Sequence, residues 1–109
     1  MRLLSRSEEL VLLAVWRLQD NAYCVPIRKQ LSTVTKKKWS FGAIYDPLER
    51  LERSGFLVSN LSEPTRERGG RSKRIYKLTD DGKKSLADIK QVADTMWAGI
   101  QPADFKSKV

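Results

Sequence analysis

Residues 40–79, SFGAIYDPLERLERSGFLVSNLSEPTRERGGRSKRIYKLT, contain the pattern that decides the fold of this chain. Ile44, Leu48 and Leu51 recur at spacings of four and three, which predicts a helix with one apolar face toward a core. Ser40 stands one turn before the first of these residues, where its hydroxyl can cap the helix. The segment therefore opens with a helix whose opposite face is free for a partner.

A basic hairpin, here called the wing (residues 56–78), follows this helix. Gly55 can end the helix in a Schellman motif, and residues 56–58 and 75–78 are strand-like runs. The connection between them is too long for a tight turn and is rich in arginine and glycine. Its charges favour contact with phosphates or the minor groove, although they could simply keep an edge strand soluble. A helix that can enter a DNA groove, followed by a basic hairpin, predicts a mainly α winged helix-turn-helix with a small β-hairpin.

Three motifs in this region resemble the signature of the PadR-like transcriptional regulators. They are GAIYDPLERLE, SGFLVS and GGRSKRIYKLTDDG, and the resemblance extends over nearly the whole chain. It implies a winged helix-turn-helix DNA-binding domain over residues 1–78 and a single C-terminal dimerisation helix over 79–101, before a tail at 102–109 that we expect to fray. It also implies a homodimeric repressor that binds inverted repeats in double-stranded DNA and is released by a small, often aromatic, effector.

The composition agrees with a nucleic-acid partner. Lysine and arginine number 21 against 13 aspartate and glutamate, a formal charge of +8. This balance favours a polyanion, although a basic protein with nothing bound would show it too. No apolar run approaches the ~20 residues of a membrane span, and no signal-peptide core stands at the start. The single cysteine, Cys24, suits a reducing compartment, so we expect a cytoplasmic protein with no membrane partner.

The side chains present do not support catalysis or metal binding. The chain has no histidine, so it lacks the usual acid–base group near neutral pH and the commonest metal ligand. One cysteine cannot build a structural zinc site, and Cys24 has no basic neighbour in AYCVP that would activate its thiol. The sequence therefore predicts a protein that is not an enzyme and has no cofactor and no metal site.

The predicted DNA contacts lie in a lysine run, at the start of the third helix and in the wing. They are Lys36, Lys37, Lys38, Ser40, Gly42, Ala43, Tyr45, Asp46, Arg68, Arg71, Lys73 and Arg74. The lysines are placed for phosphates, although such a run is as often a solvated turn. Gly42 and Ala43 would allow close approach to base edges, and Tyr45 can donate to a phosphate. Asp46 can accept a hydrogen bond from cytosine N4.

Pro47 lies inside the predicted third helix. In the family the proline usually follows the tyrosine directly, whereas Asp46 stands there in this chain. A proline within a helix removes one hydrogen bond and clashes with the preceding turn, so a single helix would kink. Alternatively, Asp46 caps a second helix that starts at Pro47, with Glu49 as its capping-box partner. The two interpretations bring different side chains near the bases.

The first and last helices carry more apolar surface than one small domain can cover. The first, capped by Ser7 and running to about Leu18, is apolar on every side, which predicts burial on every side. The last, capped by Thr79, carries a stripe of period 3.5 that suits a partner helix. A second copy of the chain is the simplest cover for both. The predicted dimer interface consists of Leu10, Leu13, Leu86, Ile89, Ala93, Met96 and Ile100.

An effector pocket would lie beside this interface. Trp16 and Trp97 stand on the two helices that form it and are candidates to line the pocket. By the resemblance, however, Trp97 falls about a turn later than the pocket tryptophan of drug-binding family members. This offset favours a role for Trp97 in the core.

A function of a different class is also compatible with the predicted fold. Winged-helix modules serve protein–protein contacts in assembly or secretion machinery without specific DNA binding. The basic wing and the lysine run favour DNA over this alternative.

Overall fold

The computed structural model describes residues 2–62 and 72–106 of the chain. The described residues form, in chain order, α1 (Arg6–Leu18), α2 (Cys24–Thr35), α3 (Phe41–Arg53), β1 (Leu57–Leu61), β2 (Arg74–Leu78) and α4 (Asp80–Trp97). Short 3-10 turns follow α1 at Gln19–Asn21 and α4 at Pro102–Lys106. The prediction of a mainly α fold with a small β-hairpin is confirmed. Within these two ranges, no helix is long and apolar enough to cross a membrane.

The core lies where α1, α2 and α3 meet. Leu12 of α1, Ile27 of α2 and Ile44 of α3 are fully buried there. Leu48 and Leu51 are fully buried as well, so the predicted inner face of α3 is confirmed. Because one face of α3 supplies so much of the core, packing of that face helps to set the orientation of the helix.

The wing is attached to this core at its base. β1 and β2 pair in antiparallel register, with Leu57 opposite Leu78. Tyr76 of β2 is buried, and its N–H donates to the carbonyl of Ala22, between α1 and α2, at 2.8 Å. β2 is therefore held against the connection between α1 and α2.

The N-cap of α1 lies earlier than the sequence analysis predicts. The cap is Ser5, whose Oγ accepts from the N–H of Glu8 at 3.1 Å, while Oε1 of Glu8 accepts from the N–H of Ser5 at 2.8 Å. The prediction of Ser7 as the cap is wrong. Ser7 is followed three residues later by Leu10, whereas Ser5 has the acidic partner that a capping box requires.

Glu8 also connects α1 to α3. It is only 5% exposed, and its Oε2 lies 3.3 Å from Nε of Arg50 and 3.8 Å from Nη2 of Arg2. Burial alone would raise the pKa of this carboxyl and is the largest single effect on it. The hydrogen bonds from Ser5 and Arg50 together outweigh burial, so the pKa of Glu8 is lowered.

We expect Glu8→Gln to lower the free energy of unfolding at pH 7 by about 1–2 kcal/mol, because it weakens charge-assisted bonds to the cap and to Arg50. A lowered folded-state pKa means that the carboxylate stabilises the fold above its unfolded-state pKa. That stabilisation is lost as the pH falls through the folded-state pKa. The difference in unfolding free energy between wild type and variant should therefore shrink between about pH 5 and pH 3.

Urea denaturation at several pH values measures this difference. Glu9→Gln is the matched control, since Glu9 pairs at 3.6 Å with the exposed Arg6 and should contribute less than about 0.5 kcal/mol. A Glu8→Gln deficit that stayed constant from pH 7 to pH 3 would contradict the role assigned to the carboxylate.

α3 ends in the predicted Schellman motif. Gly55 has a left-handed backbone with φ of 84°. Its N–H donates to the carbonyl of Glu52 at 3.1 Å, and the N–H of Phe56 donates to the carbonyl of Leu51 at 2.9 Å. These two bonds satisfy the last turn of α3 and turn the chain into β1.

The start of α4 lies directly on this turn, and the contact is here called the α3–α4 joint (Gly55, Phe56, Thr79 and Gly82). Thr79 caps α4 as predicted, since its Oγ1 accepts from the N–H of Gly82 at 3.0 Å. Its hydroxyl donates to the carbonyl of Gly55 at 2.6 Å and its N–H to the carbonyl of Phe56 at 3.1 Å. A Cβ on the buried Gly82 would lie 2.2 Å from the carbonyl oxygen of Phe56, so only glycine permits this approach.

The rest of α4 is largely uncovered by its own chain. Among the residues that the structure describes, Leu86 is the one that packs against the core beyond the first turn of α4, and Met96 is 70% exposed. Where the sequence predicts a frayed tail, residues 102–106 form a 3-10 turn, and the ring of Phe105 lies 5.9 Å from that of Trp97. Within this turn Asp104 accepts from the N–H of Gln101 at 2.9 Å. Residues 107–109 lie outside the described ranges.

Candidate nucleic-acid interface

The start of α3 presents an open surface. Ser40 caps the helix as predicted, because its Oγ accepts from the N–H of Ala43 at 3.1 Å. Ser40, Gly42, Ala43, Tyr45 and Asp46 are all exposed. A Cβ on Gly42 would meet only Oγ of Ser40, at 3.9 Å, so the fold itself does not require glycine there. The first turn of α3 could approach another molecule closely.

α3 runs without interruption through Pro47. Pro47 is buried, whereas Asp46 is exposed and lies inside the helix rather than at its N-cap. The interpretation as a single helix is confirmed, and a second N-cap at Asp46 is wrong. Core packing on both sides of the proline compensates for the hydrogen bond that it removes. Glu49 has no capping role either, and it pairs with Arg53 at 3.9 Å as an intrahelical ion pair.

The predicted lysine run lies between α2 and α3. Lys36 ends α2 in a left-handed conformation, φ 59°, with its N–H donating to the carbonyl of Ser32 at 2.9 Å. The side chains of Lys36, Lys37 and Lys38 are exposed. In the part of the chain that the structure describes, none of the three forms an ion pair. Three exposed positive charges therefore stand next to the N-terminus of α3.

The described basic residues of the wing already have partners within the chain. The ammonium of Lys73 lies 4.5 Å from the ring centroid of Tyr23. Nη1 of Arg74 donates to Oγ of Ser59 at 3.0 Å, and Ser59 donates to Glu52 of α3 at 2.7 Å. Arg74 thus supports the wing as well as carrying charge. Two further predicted contacts lie outside the described residues: Arg68 and Arg71.

Sequence reasoning missed the contacts that hold the N-terminus of α3 to α2. Trp39 is 9% exposed, and its indole N–H donates to Oγ1 of Thr35 at 2.9 Å. Nε of Arg28 donates to the carbonyl of Trp39 at 2.5 Å, and its guanidinium lies 4.6 Å from the ring centroid of Phe41. In the sequence, Arg28 is simply one of two adjacent basic residues, with Lys29. No local spacing could reveal that it reaches the beginning of the next helix.

Cys24 has a structural role. It is buried at the start of α2, and burial raises the pKa of its thiol. A hydrogen bond to Tyr45 and the charge of Arg28 act in the opposite direction but are weaker. A buried thiol with a raised pKa stays protonated at neutral pH and is a poor nucleophile.

A groove of about 570 Å³ runs between α1 and α4 and is lined mainly by apolar side chains, including Leu13, Leu86 and Ala93. Trp16 also lines it, with the ammonium of Lys83 at 5.8 Å from its ring centroid. Trp97 does not line this groove and packs on Phe105 instead. The two candidate pocket tryptophans are therefore not brought together within one chain.

The residues of the predicted dimer interface differ in exposure. Leu13, Met96 and Ile100 are 39%, 70% and 42% exposed. Four are partly buried: Leu10, Leu86, Ile89 and Ala93. Trp97 is 48% exposed, so its predicted place in the core is wrong for the single chain. The apolar surface of α1 and α4 that the sequence predicts thus remains partly open.

The chain is similar to known transcriptional regulators. The model of the family described as "Transcriptional regulator PadR-like family" matches residues 12–88. A candidate transcriptional regulator from Thermoplasma acidophilum is 25% identical in a structural alignment that covers 94% of this chain and 95% of that one, with a TM-score of 0.70. A comparison with curated proteins found no match.

Two more distant solved structures show the same fold. A PadR family transcription regulator from Clostridium difficile R20291 is 24% identical, with 88% of this chain and 91% of that one covered and a TM-score of 0.63. RosR of H. salinarum is 17% identical, with 96% and 87% covered and a TM-score of 0.70. Each alignment covers most of both chains.

Proposed function

Since the chain belongs to the PadR-like family of transcriptional regulators, we propose that it is a homodimeric repressor that binds double-stranded DNA at an inverted repeat. The observation that carries this proposal is the exposed first turn of α3, where the side chains of Ser40 and Ala43 and the backbone of Gly42 are open to solvent. Recognition helices of helix-turn-helix proteins lie in the major groove with their N-terminal residues at the base edges. A bound dimer would repress by occupying the promoter.

The contacts in this proposal divide into two groups. Lys36, Lys37 and Lys38 lie against phosphates and supply affinity without sequence information. Tyr45 is 48% exposed and donates to a further phosphate once its hydroxyl turns away from the Cys24 thiol. Asp46 accepts from cytosine N4, while its negative charge disfavours sequences that offer no such donor.

The dimer in this proposal forms through α1 and α4. Exposed apolar patches of this kind mark interaction surfaces, and Leu13, Met96 and Ile100 are exposed in the single chain. A two-fold dimer would present its two α3 helices to half-sites about 10 bp apart. The operator would then be an inverted repeat with that spacing.

A small aromatic effector belongs to the same proposal, with the groove beside Trp16 as its site. The groove is apolar, and the Lys83 ammonium over the Trp16 ring would favour a ligand that carries a negative charge. Quenching of tryptophan fluorescence by aromatic acids should be lost in Trp16→Phe. Quenching that depended on Trp97 instead would place the ligand elsewhere.

Salt dependence of DNA binding tests the proposed function. We expect the affinity for double-stranded DNA to fall steeply with salt, and Lys37→Gln or Arg71→Gln to weaken binding to all sequences alike. Each neutralisation should flatten the slope of log affinity against log salt by about 1, because one fewer counterion is released. Fluorescence anisotropy over a salt series measures the slope.

Lys106→Gln is the matched control, since Lys106 is exposed in the turn beyond α4 and should leave the slope unchanged. Equal slopes for wild type, Lys37→Gln and Arg71→Gln would remove these residues from the interface. A wild type without affinity for DNA would favour the alternative of a winged-helix module for protein–protein contacts.

A further inference from the structure

Phe41, the first residue of α3, is an aromatic side chain presented at the proposed DNA surface. It is 49% exposed, although the helix that it begins is anchored by fully buried residues one turn later. The ring is not free, because the guanidinium of Arg28 lies 4.6 Å from its centroid. One face of the ring is therefore covered, while the rest remains open.

The position of Arg28 is itself fixed by the polypeptide around it. Its Nε donates to the carbonyl of Trp39 at 2.5 Å, and Trp39 is buried and hydrogen-bonded to Thr35 at 2.9 Å. Within residues 2–62 and 72–106, no carboxylate pairs with Arg28. The planar guanidinium can hold the ring with its face and still direct its terminal N–H groups outward, which lysine could not do.

The neighbours of Phe41 have little capacity to read bases by hydrogen bonds. Gly42 and Ala43 have no polar side-chain atoms. The Oγ of Ser40 already accepts from the N–H of Ala43, so one of its lone pairs is occupied by the cap. In this first turn of α3, which precedes the proposed cytosine contact of Asp46, the large apolar side chain of Phe41 is the group best placed to distinguish one base from another.

On the basis of the proposed function, we propose that Phe41 is a specificity-determining residue that recognises the C5-methyl group of a thymine in each half-site. Among the base edges of the major groove, only thymine offers an apolar group, and phenylalanine is a suitable partner for it. Arg28 is a positioning residue, which holds the ring at a fixed angle and places its own charge near the adjacent phosphate. Burial of one methyl group accounts for about a fourfold preference per half-site.

Replacement of thymine by deoxyuridine tests this contact, because it removes the methyl group and changes nothing else on the base edge. The operator is first selected from random DNA with the wild-type protein, and each thymine of a half-site is then replaced in both half-sites together. We expect one position at which wild-type affinity falls by about 15-fold for the pair of half-sites. At that position Phe41→Ala should bind thymine and uracil operators equally, while Phe41→Leu keeps part of the preference.

Arg28→Lys separates positioning from charge. It retains the positive charge, so the affinity for non-specific DNA and its salt slope should stay within about twofold of the wild type. The uracil penalty is the loss of affinity when the thymine contacted by Phe41 is replaced by deoxyuridine. In Arg28→Lys this penalty should fall to less than half of its wild-type value, because the ring is no longer held. Lys29→Gln, a change at the exposed neighbouring position of α2, should leave the uracil penalty unchanged.

The outcomes distinguish this inference from the proposed function. A wild type that binds its operator specifically but shows no uracil-sensitive position would overturn the role of Phe41 and leave the proposed function intact. The same holds if Phe41→Ala, folded as judged by circular dichroism, keeps the full penalty at that thymine. Absence of any sequence-specific binding by the wild type would overturn both.

Discussion

Gly82→Ala should lower the free energy of unfolding by about 3 kcal/mol or more, which is a large part of the ~5–15 kcal/mol that stabilises a domain. The new Cβ would lie 2.2 Å from the carbonyl oxygen of Phe56 and 3.1 Å from its carbonyl carbon. Backbone atoms cannot move aside as a flexible side chain can. Relief would require α4 to shift and would weaken the bonds from Thr79 to Gly55 and Phe56.

Urea denaturation followed by circular dichroism measures the effect. Gly42→Ala is the matched control, because it makes the same chemical change on an exposed helical turn. There the new Cβ would have Oγ of Ser40 as its nearest neighbour, at 3.9 Å. This substitution should be neutral or stabilising by up to about 1 kcal/mol. If Gly82→Ala shifted the midpoint no more than Gly42→Ala does, α4 would have to lie farther from the end of α3 than described.

Met96→Asp should dissociate the proposed dimer while leaving the fold of each chain intact. Met96 is 70% exposed in the single chain, so a carboxylate there costs the isolated protomer little. In a dimer through α4 the same carboxylate would be buried without a partner, at a cost of ~3–5 kcal/mol. The dimer dissociation constant should therefore rise by about 100-fold or more.

Specific DNA affinity should fall with the dimer, because two half-site contacts no longer act together. Analytical ultracentrifugation reports the mass, and circular dichroism reports the fold. Gln91→Asp, an exposed position outside the predicted seam, is the control and should remain dimeric. A wild type that is a folded monomer at micromolar concentration would rule out the α1–α4 interface.

Features governed by local rules could be predicted from the sequence. Ser40 and Thr79 as caps and Gly55 as the helix terminator depend on a few adjacent residues, and the structure has all three. At Pro47 the sequence is ambiguous, because local chemistry allows either one kinked helix or a second helix that starts at the proline. Burial of the proline in the core decides for one helix, and burial depends on residues far away in the chain.

Contacts between distant residues could not be predicted. Glu8 and Arg50 are 42 positions apart, and nothing in either local sequence marks them as partners. The same is true of Arg28, which appears as a surface charge until its bond to Trp39 is known. For the proposed DNA surface, the sequence predicts which side chains face outward but not that Arg74 is already bonded to Ser59.

The α3–α4 joint has a mechanical consequence for any dimer built on α4. Because it holds backbone against backbone without space for a single methyl group at Gly82, α3 and α4 should rotate as one body. α4 has 18 residues and is about 27 Å long at 1.5 Å per residue. A change of about 10° in the angle between two such helices would displace one α3 relative to the other by roughly 5 Å over that length. This exceeds the ~3.4 Å rise of one base pair, so a small rotation at one end of the molecule would mismatch the protein with its operator at the other.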